Sequence, residues 1–418
     1  MRQDRVVVIG GGVIGACVAH SLARRGRSVV LLESDRPGGR LAASYGNAGL
    51  ISVGHLPLPK PGLLLKSLRW MFDRTSPLLI VPRADPALLW WLIRFGLACR
   101  REVLESNMRC LGAMSVRTIA QFDRYAGEFG VEFEYHRGGY MDVFRTHESL
   151  EHARPDVEMV NALGIHEEII DGAAAARLEP ALLPGVAGAV LRRDAAFANP
   201  AKFVVGVVES AKKLGVEVRS AARAQEFVFE GGRARAVITE SGEQIPGESF
   251  VLAAGAWSTD LGKRCGVRVP MQPAKGYHVM IEQPEPTPLK MACSLGEVYV
   301  AATPMEGGVR LAGTLELSGL NHEIRQERLD MLVPGAAKYI AGIGGSRAVS
   351  SWCGLRPCTA DGLPVIGWAP RAPGVFVATG HAMMGFWLAP VSGELAAEMI
   401  CGEDSCVDPQ PLAAARFG

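Results

Sequence analysis

The stretch VVVIGGGVIGACVAHSLARRGRSVVLLE, residues 6–33, is the part of the sequence that decides the fold. Its apolar spacing and its glycines predict a strand over 6–10, a helix over 13–26 that stops at a glycine, and a second strand over 28–33. A strand, a glycine turn, a helix and a second strand in this order form a βαβ unit. The chain is therefore predicted to begin with a nucleotide-binding fold.

Three glycines of the turn match the G-x-G-x-x-G pattern, in which each glycine has its own steric role. Gly10 allows the tight turn, Gly12 lets a pyrophosphate approach the backbone, and Gly15 lets the helix pack closely on the strand. The phosphates would lie at the start of the helix, where free N–H groups and the helix dipole favour negative charge. Glu33 ends the second strand, where its carboxylate can accept hydrogen bonds from a ribose and repel a 2′-phosphate. These features predict a dinucleotide site.

The sequence after Glu33 favours FAD over a nicotinamide cofactor. Residues 37–50, PGGRLAASYGNAGL, form a long loop of small residues, whereas a simple nicotinamide enzyme would normally continue with another α/β crossover. Ser44, Asn47 and Gly49 suit a chain that wraps the middle of a longer cofactor. The apolar run SFVLAAGAWS is expected to form another strand that closes over the same cofactor.

Composition excludes several other classes of protein. The 418 residues are 48% hydrophobic and 21% charged, which is a globular composition. The 44 basic and 43 acidic residues nearly cancel, so a nucleic-acid partner is not expected. Nine cysteines without a CxxC pattern argue against a disulfide framework and a zinc site, and no metal is expected. No signal peptide is recognised at the start, so a cytoplasmic location is expected.

One segment, residues 56–98, is rich in Leu, Trp and Phe but is interrupted by prolines and charges. It has no apolar run long enough to span a bilayer. Two interpretations stay open. The segment either packs on the body as a loop-and-helix unit, or its Trp70–Trp91 region makes a peripheral contact with the inner membrane.

The order of predicted elements indicates a mixed α/β and α+β architecture with two domains. A Rossmann-like FAD-binding domain is assembled from residues 1–55, 181–265 and 346–418. Residues 56–180 and 266–345 are predicted to build a substrate domain with an antiparallel sheet.

Five motifs follow one another along nearly the whole chain: GGGVIG with Glu33, SYGNAGL, VLAAGAW, CGLRPCTADGLPVIG and GHAMMG. Together they resemble the motifs of the FAD-dependent D-amino acid dehydrogenases, within the glycine oxidase and D-amino acid oxidase group. The wording of AKGYHVMI, RLAGTLELSG, LRPCTADGLPVIG and TGHAMMG is most similar to bacterial D-hydroxyproline dehydrogenases, which oxidise cis-4-hydroxy-D-proline. The resemblance implies a glutathione-reductase-type FAD domain with a bent, mostly antiparallel substrate sheet over the isoalloxazine.

The resemblance also implies which residues contact the cofactor. Besides Gly10, Gly12, Gly15 and Glu33, the expected contacts are Val13, Ile14, Ser34, Ser44, Asn47, Ala48, Gly49, Leu50, Ala224, Ala254, Gly255, Gly380, His381, Met383, Met384, Gly385 and Phe386. FAD is expected to bind non-covalently, with Cys353 and Cys358 as packing residues. Of the two methionines, at least one is expected to border the space between flavin and substrate, as an apolar and adaptable wall.

Arg356, in the GLRP context, is the strongest candidate for substrate binding. A guanidinium can fix an α-amino acid carboxylate through two parallel hydrogen bonds and stays charged. Tyr277, Tyr299, Met383 and His278 are further candidates. No general base is required if a neutral amine assists hydride transfer from Cα–H to flavin N5, and the expected catalytic machinery is the cofactor itself.

Three functions stay open at this point. The first is dehydrogenation of a cyclic D-amino acid such as cis-4-hydroxy-D-proline or D-proline. The second is a glycine, sarcosine or broad D-amino acid oxidase. The third is a flavoprotein subunit of an electron-transfer complex without its own substrate. The electron acceptor is a quinone, an electron-transfer partner or oxygen.

Overall fold

The computed structural model describes residues 5–63 and 76–417. Its strands, in chain order, are β1 (Arg5–Ile9), β2 (Ser28–Leu32), β3 (Leu50–Ile51), β4 (Leu78–Ile80), β5 (His136–Arg137), β6 (Tyr140–Phe144), β7 (Glu168–Asp171), β8 (Gly188–Arg192), β9 (Ala196–Phe197), β10 (Glu217–Arg219), β11 (Ala224–Glu230), β12 (Arg233–Thr239), β13 (Gln244–Pro246), β14 (Ser249–Leu252), β15 (Met271–Ile281), β16 (Ala292–Leu295), β17 (Val300–Met305), β18 (Gly308–Leu317), β19 (Ala348–Thr359), β20 (Val365–Trp368) and β21 (Val375–Thr379). Its α-helices are α1 (Val13–Arg24), α2 (Pro86–Ala98), α3 (Arg101–Ser115), α4 (Thr118–Gly127), α5 (His147–Asn161), α6 (Gly172–Leu178), α7 (Pro200–Lys213), α8 (Ser258–Arg264), α9 (Gln326–Asp330), α10 (Leu332–Ala336) and α11 (Gly385–Cys401).

The first sheet has six strands in the order β10-β2-β1-β14-β21-β20. All neighbours are parallel except β20, which runs antiparallel to β21. Its central strands read as continuous apolar runs because both faces of the sheet are covered. The predicted βαβ unit is confirmed. The strand predicted over SFVLAAGAWS ends at Leu252, and the chain turns into a short 3₁₀ helix at Gly255–Trp257.

Helices α1, α7 and α11 pack together on one face of this sheet around a large apolar core. The approach of α1 to α11 is unusually close at Gly393. A Cβ atom there would lie 2.7 Å from Cys17 Cβ, so a larger residue would push the two helices apart. This packing holds α1, and with it the glycine turn, in one position.

The second sheet has nine strands and is mostly antiparallel, as predicted. Its order is β19-β15-β18-β17-β16-β6-β8-β7, with β4 paired to β18. Strands β8 and β19 belong to this sheet, although the predicted division places residues 181–265 and 346–418 in the FAD domain. The predicted division therefore assigns β8 and β19 to a different domain from the other strands of their sheet. The domain boundaries stay a prediction.

The apolar segment 56–98 is described only in part, and Trp70 lies outside the described residues. Helix α2 begins at Asp85, whose carboxylate accepts hydrogen bonds from the N–H groups of Ala87 and Leu88. Its Trp91 is buried and donates its indole N–H to the carbonyl of Cys358 at 2.9 Å. This contact fixes α2 against the nine-stranded sheet. Along 5–63 and 76–417, no helix is long and apolar enough to cross a membrane.

Candidate active site

A cavity of about 460 Å³ is lined by parts of both large sheets. The six-stranded sheet contributes the turn after β1, the loop after β2 and the ends of β14 and β21. The nine-stranded sheet contributes residues 355–357 of β19, and the start of α11 closes one side. The cavity therefore joins the predicted dinucleotide site to the predicted substrate residue Arg356.

The glycine turn has the geometry that the sequence predicts for a phosphate site. Gly10 has φ +106°, and a Cβ there would lie 2.5 Å from the carbonyl oxygen of Ala253. A Cβ on Gly15 would lie 1.8 Å from the carbonyl oxygen of Gly10. At Gly12 the nearest atom to such a Cβ is Ser44 Oγ at 3.7 Å, so space is left on the cavity side. Helix α1 has no acidic residue in its first turn and no side-chain cap, which leaves its N–H groups for an anion.

Glu33 lies just beyond β2 and lines the cavity. Its Oε2 accepts the N–H of Gly11 at 2.7 Å, and its Oε1 accepts Ser34 Oγ at 2.9 Å and the N–H of Asp35 at 3.0 Å. These three donors fix the carboxylate, and part of its acceptor capacity is left for a ligand hydroxyl. The contact of Glu33 with a ribose stays a prediction that this geometry suits.

The loop after Glu33 contributes five residues to the cavity: Leu41, Ala42, Ala43, Ser44 and Asn47. Arg310 holds this loop by donating from Nη1 to the carbonyl of Asn47 at 2.9 Å. The predicted contacts Ala48, Gly49 and Leu50 are not in the cavity lining. The N–H of Gly49 is bonded to Asn47 Oδ1 at 2.8 Å, and Leu50 pairs with Phe197 in a separate three-stranded sheet.

The GHAMMG segment separates its two methionines. Met383 lines the cavity, whereas Met384 is buried in the core beside the helices. His381 also lines the cavity, and burial lowers its pKa to about 3, so the imidazole is neutral at physiological pH. Its Nε2 pairs with Ser392 Oγ at 2.9 Å, and its buried Nδ1 has no partner among the described residues. An orphaned buried nitrogen beside a cavity is satisfied when a polar ligand occupies that cavity.

The predicted cofactor residues as a whole fall into two groups, those that line the cavity and those that do not. Those that line the cavity are Gly10, Gly12, Val13, Ile14, Glu33, Ser34, Ser44, Asn47, Ala224, Ala254, Gly255, His381, Met383, Gly385 and Phe386. Gly15 and Gly380 lie behind the lining, where they give room to backbone and side-chain atoms of the fold.

Arg356 reaches the cavity from β19, partly buried. Its Nη1 donates to the carbonyl of Thr314 at 2.9 Å. Among the described residues, no carboxylate lies within 4.0 Å of the guanidinium. Burial lowers the pKa of Arg356 below its usual value, because the charged form loses solvation. A desolvated cation without an anionic partner favours binding of an anion, and the cavity is where that anion can enter.

Tyr277, Tyr299 and His278 are not among the described residues that line the cavity. The buried Tyr277 hydroxyl donates to Glu316 Oε2 at 2.8 Å. The His278 ring stacks on Trp352 and pairs through Nδ1 with the carbonyl of Gly46 at 2.7 Å, while burial lowers its pKa to about 3. Tyr299 is 51% exposed. Of the five predicted substrate residues, the fold brings Arg356 and Met383 to the cavity.

Cys353 and Cys358 flank Arg356 and are both buried. Burial raises the pKa of the Cys358 thiol to about 12, so it is protonated and unreactive. Neither is among the described residues that line the cavity. Across 5–63 and 76–417, no group of three or more His, Cys, Asp or Glu side chains is placed to hold a metal ion.

Sequence reasoning missed two kinds of residue. The first is a set of polar residues in the cavity lining, Arg223, Gln225, Glu240, Asp260 and Arg264, which come from the β11–β12 hairpin region and from α8 and meet only in the folded chain. The second is Gly276, over which the Arg356 guanidinium lies. A glycine inside a strand is a signal of close approach by another group, and the motif AKGYH contains that signal.

A βαβ phosphate turn that shares one cavity with an arginine without a carboxylate partner among the described residues fits a dinucleotide-dependent enzyme. The chain belongs to the DAO family of FAD dependent oxidoreductases, whose family model matches residues 5–399. FAD is therefore the cofactor, and the open side of Gly12, the free start of α1 and the unpartnered His381 Nδ1 fit a bound dinucleotide.

Several similar proteins are named D-amino acid dehydrogenase. D-amino acid dehydrogenase of Rhizobium johnstonii is 32% identical over 420 residues, which cover 99% of this chain and 100% of the relative. D-amino acid dehydrogenase of Methylobacterium radiotolerans is 31% identical, with 99% of each chain covered.

Two solved structures share the fold. Glycine oxidase from Geobacillus kaustophilus has a TM-score of 0.79, with 23% identity and 99% of each chain covered. L-proline dehydrogenase from P. horikoshii has a TM-score of 0.77, with 19% identity, and the match covers 100% of this chain and 98% of that one. At these identities the likeness defines the fold alone.

Proposed function

We propose that this FAD-dependent oxidoreductase is a D-amino acid dehydrogenase. The observation that carries the proposal is Arg356, a half-buried arginine that lines the cofactor cavity and has no carboxylate partner among the described residues. An amino acid supplies the missing anion through its α-carboxylate. The relatives that are named D-amino acid dehydrogenases, and that align over 99% of the chain, support the D-configuration.

When bound, FAD would supply the two-electron oxidising power for removal of a hydride from the α-carbon of the substrate. Arg356 orients the carboxylate, so that the α-carbon has one fixed position in the cavity. Met383 forms an apolar wall that keeps water from the reacting atoms. Burial lowers the pKa of His381 to about 3, so its imidazole is a weak base, and a substrate amine that is already deprotonated needs no base.

We infer that the substrate is cyclic, such as cis-4-hydroxy-D-proline or D-proline. Met383 supports this finer assignment, because a thioether wall accommodates an apolar ring better than a small polar substrate. Glycine or sarcosine oxidation is the alternative, and a flavoprotein subunit without its own substrate is the second alternative.

The test is bleaching of the enzyme-bound flavin under anaerobic conditions by single amino acids. We expect rapid bleaching by cis-4-hydroxy-D-proline or D-proline, slower bleaching by acyclic D-amino acids, and little by glycine. Bleaching by L-isomers alone would overturn the D-specific assignment. A flavin that no amine bleaches would favour the electron-transfer subunit. Denaturation should release all yellow colour, because FAD is held non-covalently in this proposal.

The electron acceptor that we propose is a quinone, reached through a peripheral contact of α2 with an anionic membrane surface. Four side chains form an exposed apolar stripe on this helix: Leu89, Trp90, Ile93 and Leu97, which are 48–62% exposed. Arg94 lies over the Trp90 ring and Arg100 donates to the carbonyl of Leu97, so both place positive charge beside the stripe. The two neighbouring arginines, Arg83 and Arg101, are instead paired with carboxylates. An apolar stripe with basic neighbours matches the polarity of an anionic bilayer surface.

Vesicle flotation of the holoenzyme tests this contact. We expect binding to anionic vesicles and its loss in Trp90→Lys, while the same change at the exposed Val349 leaves binding intact. Equal flotation of both variants, or no flotation of the unaltered enzyme, would remove the membrane assignment.

A further inference from the structure

Strands β15 and β18 contain a β-bulge beside Arg356. Their register pairs Lys275 with Glu316 and Tyr277 with Gly313, and the pairing shifts between these two positions. Gly276 therefore faces two residues of β18, Thr314 and Leu315, in place of one. A bulge of this kind turns backbone groups away from the regular ladder and can redirect them toward a neighbouring side chain.

Thr314 adopts a backbone conformation that its side chain disfavours. Its φ is +61°, in the left-handed region that β-branched residues rarely enter. The Thr314 hydroxyl does not account for this conformation, since Oγ1 is buried and has no hydrogen-bond partner among the described residues. The Thr314 carbonyl oxygen does account for it, because this oxygen accepts a hydrogen bond from Arg356 Nη1 at 2.9 Å. Strain of this kind persists where the surrounding structure uses it.

Gly276 provides the other half of the arrangement. A Cβ atom on this residue would lie 2.3 Å from Arg356 Cζ, 2.3 Å from Nη2 and 2.4 Å from Nη1. Such distances are far below van der Waals contact, so any side chain at this position must displace the guanidinium. The guanidinium group thus lies flat against the backbone of Gly276 while the Thr314 carbonyl holds one of its nitrogens.

We propose that Gly276 and Thr314 are positioning residues that fix the Arg356 guanidinium for the substrate carboxylate, which rests on the proposed function of Arg356. An arginine side chain has many rotamers, and each immobilised rotamer costs binding energy when a ligand selects it. The bulge removes this cost before the substrate arrives, because one nitrogen is bonded and the flat face is supported. The remaining N–H groups are left for the carboxylate.

The first test measures binding of pyrrole-2-carboxylate, a planar carboxylate without an oxidisable α-hydrogen, to the holoenzyme by its effect on the flavin spectrum. Gly276→Ala should raise its Kd by about tenfold to a hundredfold, because the guanidinium moves by an ångström or more. FAD content should not change. For the amino acid substrate, KM should rise more than kcat falls. An unchanged Kd in Gly276→Ala would overturn the proposal.

The matched control is Gly354→Ala, the direct partner of Gly276 in the β15–β19 ladder. A Cβ at Gly354 would lie 2.1 Å from the Trp352 ring. The steric overlap is therefore comparable to that of Gly276→Ala, but it displaces Trp352 and not Arg356. Its effect on Kd should stay below about threefold. Equal weakening in both variants would show that general distortion of the sheet is responsible, and the positioning role would be rejected.

Thr314→Gly distinguishes the contribution of the Thr314 carbonyl from that of the Thr314 side chain. Glycine adopts positive φ without strain, so the carbonyl should keep its place and Kd should stay within about threefold of the unaltered enzyme. A loss as large as that of Gly276→Ala would assign the effect to the threonine side chain and contradict this part of the proposal.

A double-mutant cycle distinguishes the proposal from the function on which it rests. The readout is the second-order rate of anaerobic flavin bleaching by D-proline at low substrate concentration. If Gly276 acts through Arg356, then Gly276→Ala should change this rate by less than about twofold in an Arg356→Ala background. Independent, multiplying effects would overturn the positioning role. No effect of Arg356→Ala alone would instead reject Arg356 as the carboxylate site.

Discussion

The cavity has a phosphate end at Gly12 and an arginine end at Gly276, and at each end the missing side chain of a glycine leaves space for another group. The group that occupies this space differs between the two ends. Gly12 leaves space for a ligand phosphate beside the start of α1, whereas Gly276 leaves space for the protein's own Arg356. The phosphate end comes from one continuous stretch of chain. The arginine end combines three strands, through Gly276, Thr314 and Arg356. The predicted phosphate site is therefore a local structure, whereas the proposed substrate site depends on the register of a whole sheet.

The electrostatics of the two ends differ as well. At the phosphate end, attraction comes from partial charges on backbone N–H groups, and Glu33 supplies a carboxylate for hydroxyl groups. At the other end, one full positive charge has no counter-ion among the described residues. Damage at the first end should release the cofactor, and damage at the second should spare the cofactor and abolish substrate recognition.

The largest effect is expected for Gly15→Ala. Its Cβ would lie 1.8 Å from the carbonyl oxygen of Gly10, so the turn cannot keep its shape and the purified protein should contain almost no FAD. The ratio of flavin to protein absorbance measures this loss. Gly127→Ala is the control, because a Cβ at that position of α4 meets no atom within 4 Å. Retention of full FAD by Gly15→Ala would show that the turn tolerates a side chain.

Arg356→Ala tests the opposite end. We expect normal FAD content and a fall in kcat/KM of about a hundredfold to a thousandfold, because a carboxylate loses its charged partner in a dry site. Arg356→Lys should lose less, since it keeps the charge but not the paired donors. Steady-state kinetics with D-proline provide the measurement. Near-normal kcat/KM in Arg356→Ala would remove the distinction between the two ends.

Two buried histidines are neutral, His381 in the cavity lining and His278 beneath the loop at Gly46. Burial lowers the pKa of both to about 3, whereas the unfolded chain has a value near 6.5. The unfolded state therefore binds more protons between these values, and stability falls as pH falls below about 6.5. Each histidine should lower the free energy of unfolding by about 2 kcal/mol when the pH falls from 7 to 5.

Burial raises the pKa of Glu167 to about 7, so its protonation increases the free energy of unfolding as pH falls from 7 to 5. This gain offsets the loss from about one of the histidines. Urea unfolding at pH 7 and pH 5 measures the net decline. His278→Asn should make the decline smaller by about 2 kcal/mol, whereas His152→Asn, at an exposed position, should leave it unchanged. The remaining decline includes His20 and His55, because burial lowers the pKa of each to about 4. The same slope in both variants would exclude His278 as a source of the pH dependence.

The smallest expected effect concerns preference among substrates. Met383→Arg places a polar side chain in the cavity, so it should shift the ratio of kcat/KM for D-proline over glycine by about tenfold toward glycine. Met384→Leu is the control, because Met384 lies in the core. An unchanged ratio in Met383→Arg would mean that Met383 does not border the substrate, and that the ring preference has another source.

Sequence reasoning was most successful where function depends on neighbouring residues. The βαβ unit, the glycine turn and the mostly antiparallel second sheet are all present in the structure. Met383 and Met384 could not be told apart by sequence, because only the packing of α11 decides which one faces the cavity. Tyr277 and His278 lie on β15, but their polar groups are bonded to Glu316 and to the Gly46 carbonyl.

The sequence by itself determined the dinucleotide site, because local steric rules govern a strand, a tight glycine turn and a helix start within residues 6–33. It also pointed to Arg356, through its motif. Only the tertiary structure decided how that arginine is held. A one-residue bulge changes which groups of β15 and β18 face each other, and neither the bulge nor the positive φ of Thr314 leaves a mark in the amino-acid pattern. Register is a property of paired strands, so it exists only once distant parts of the chain have met.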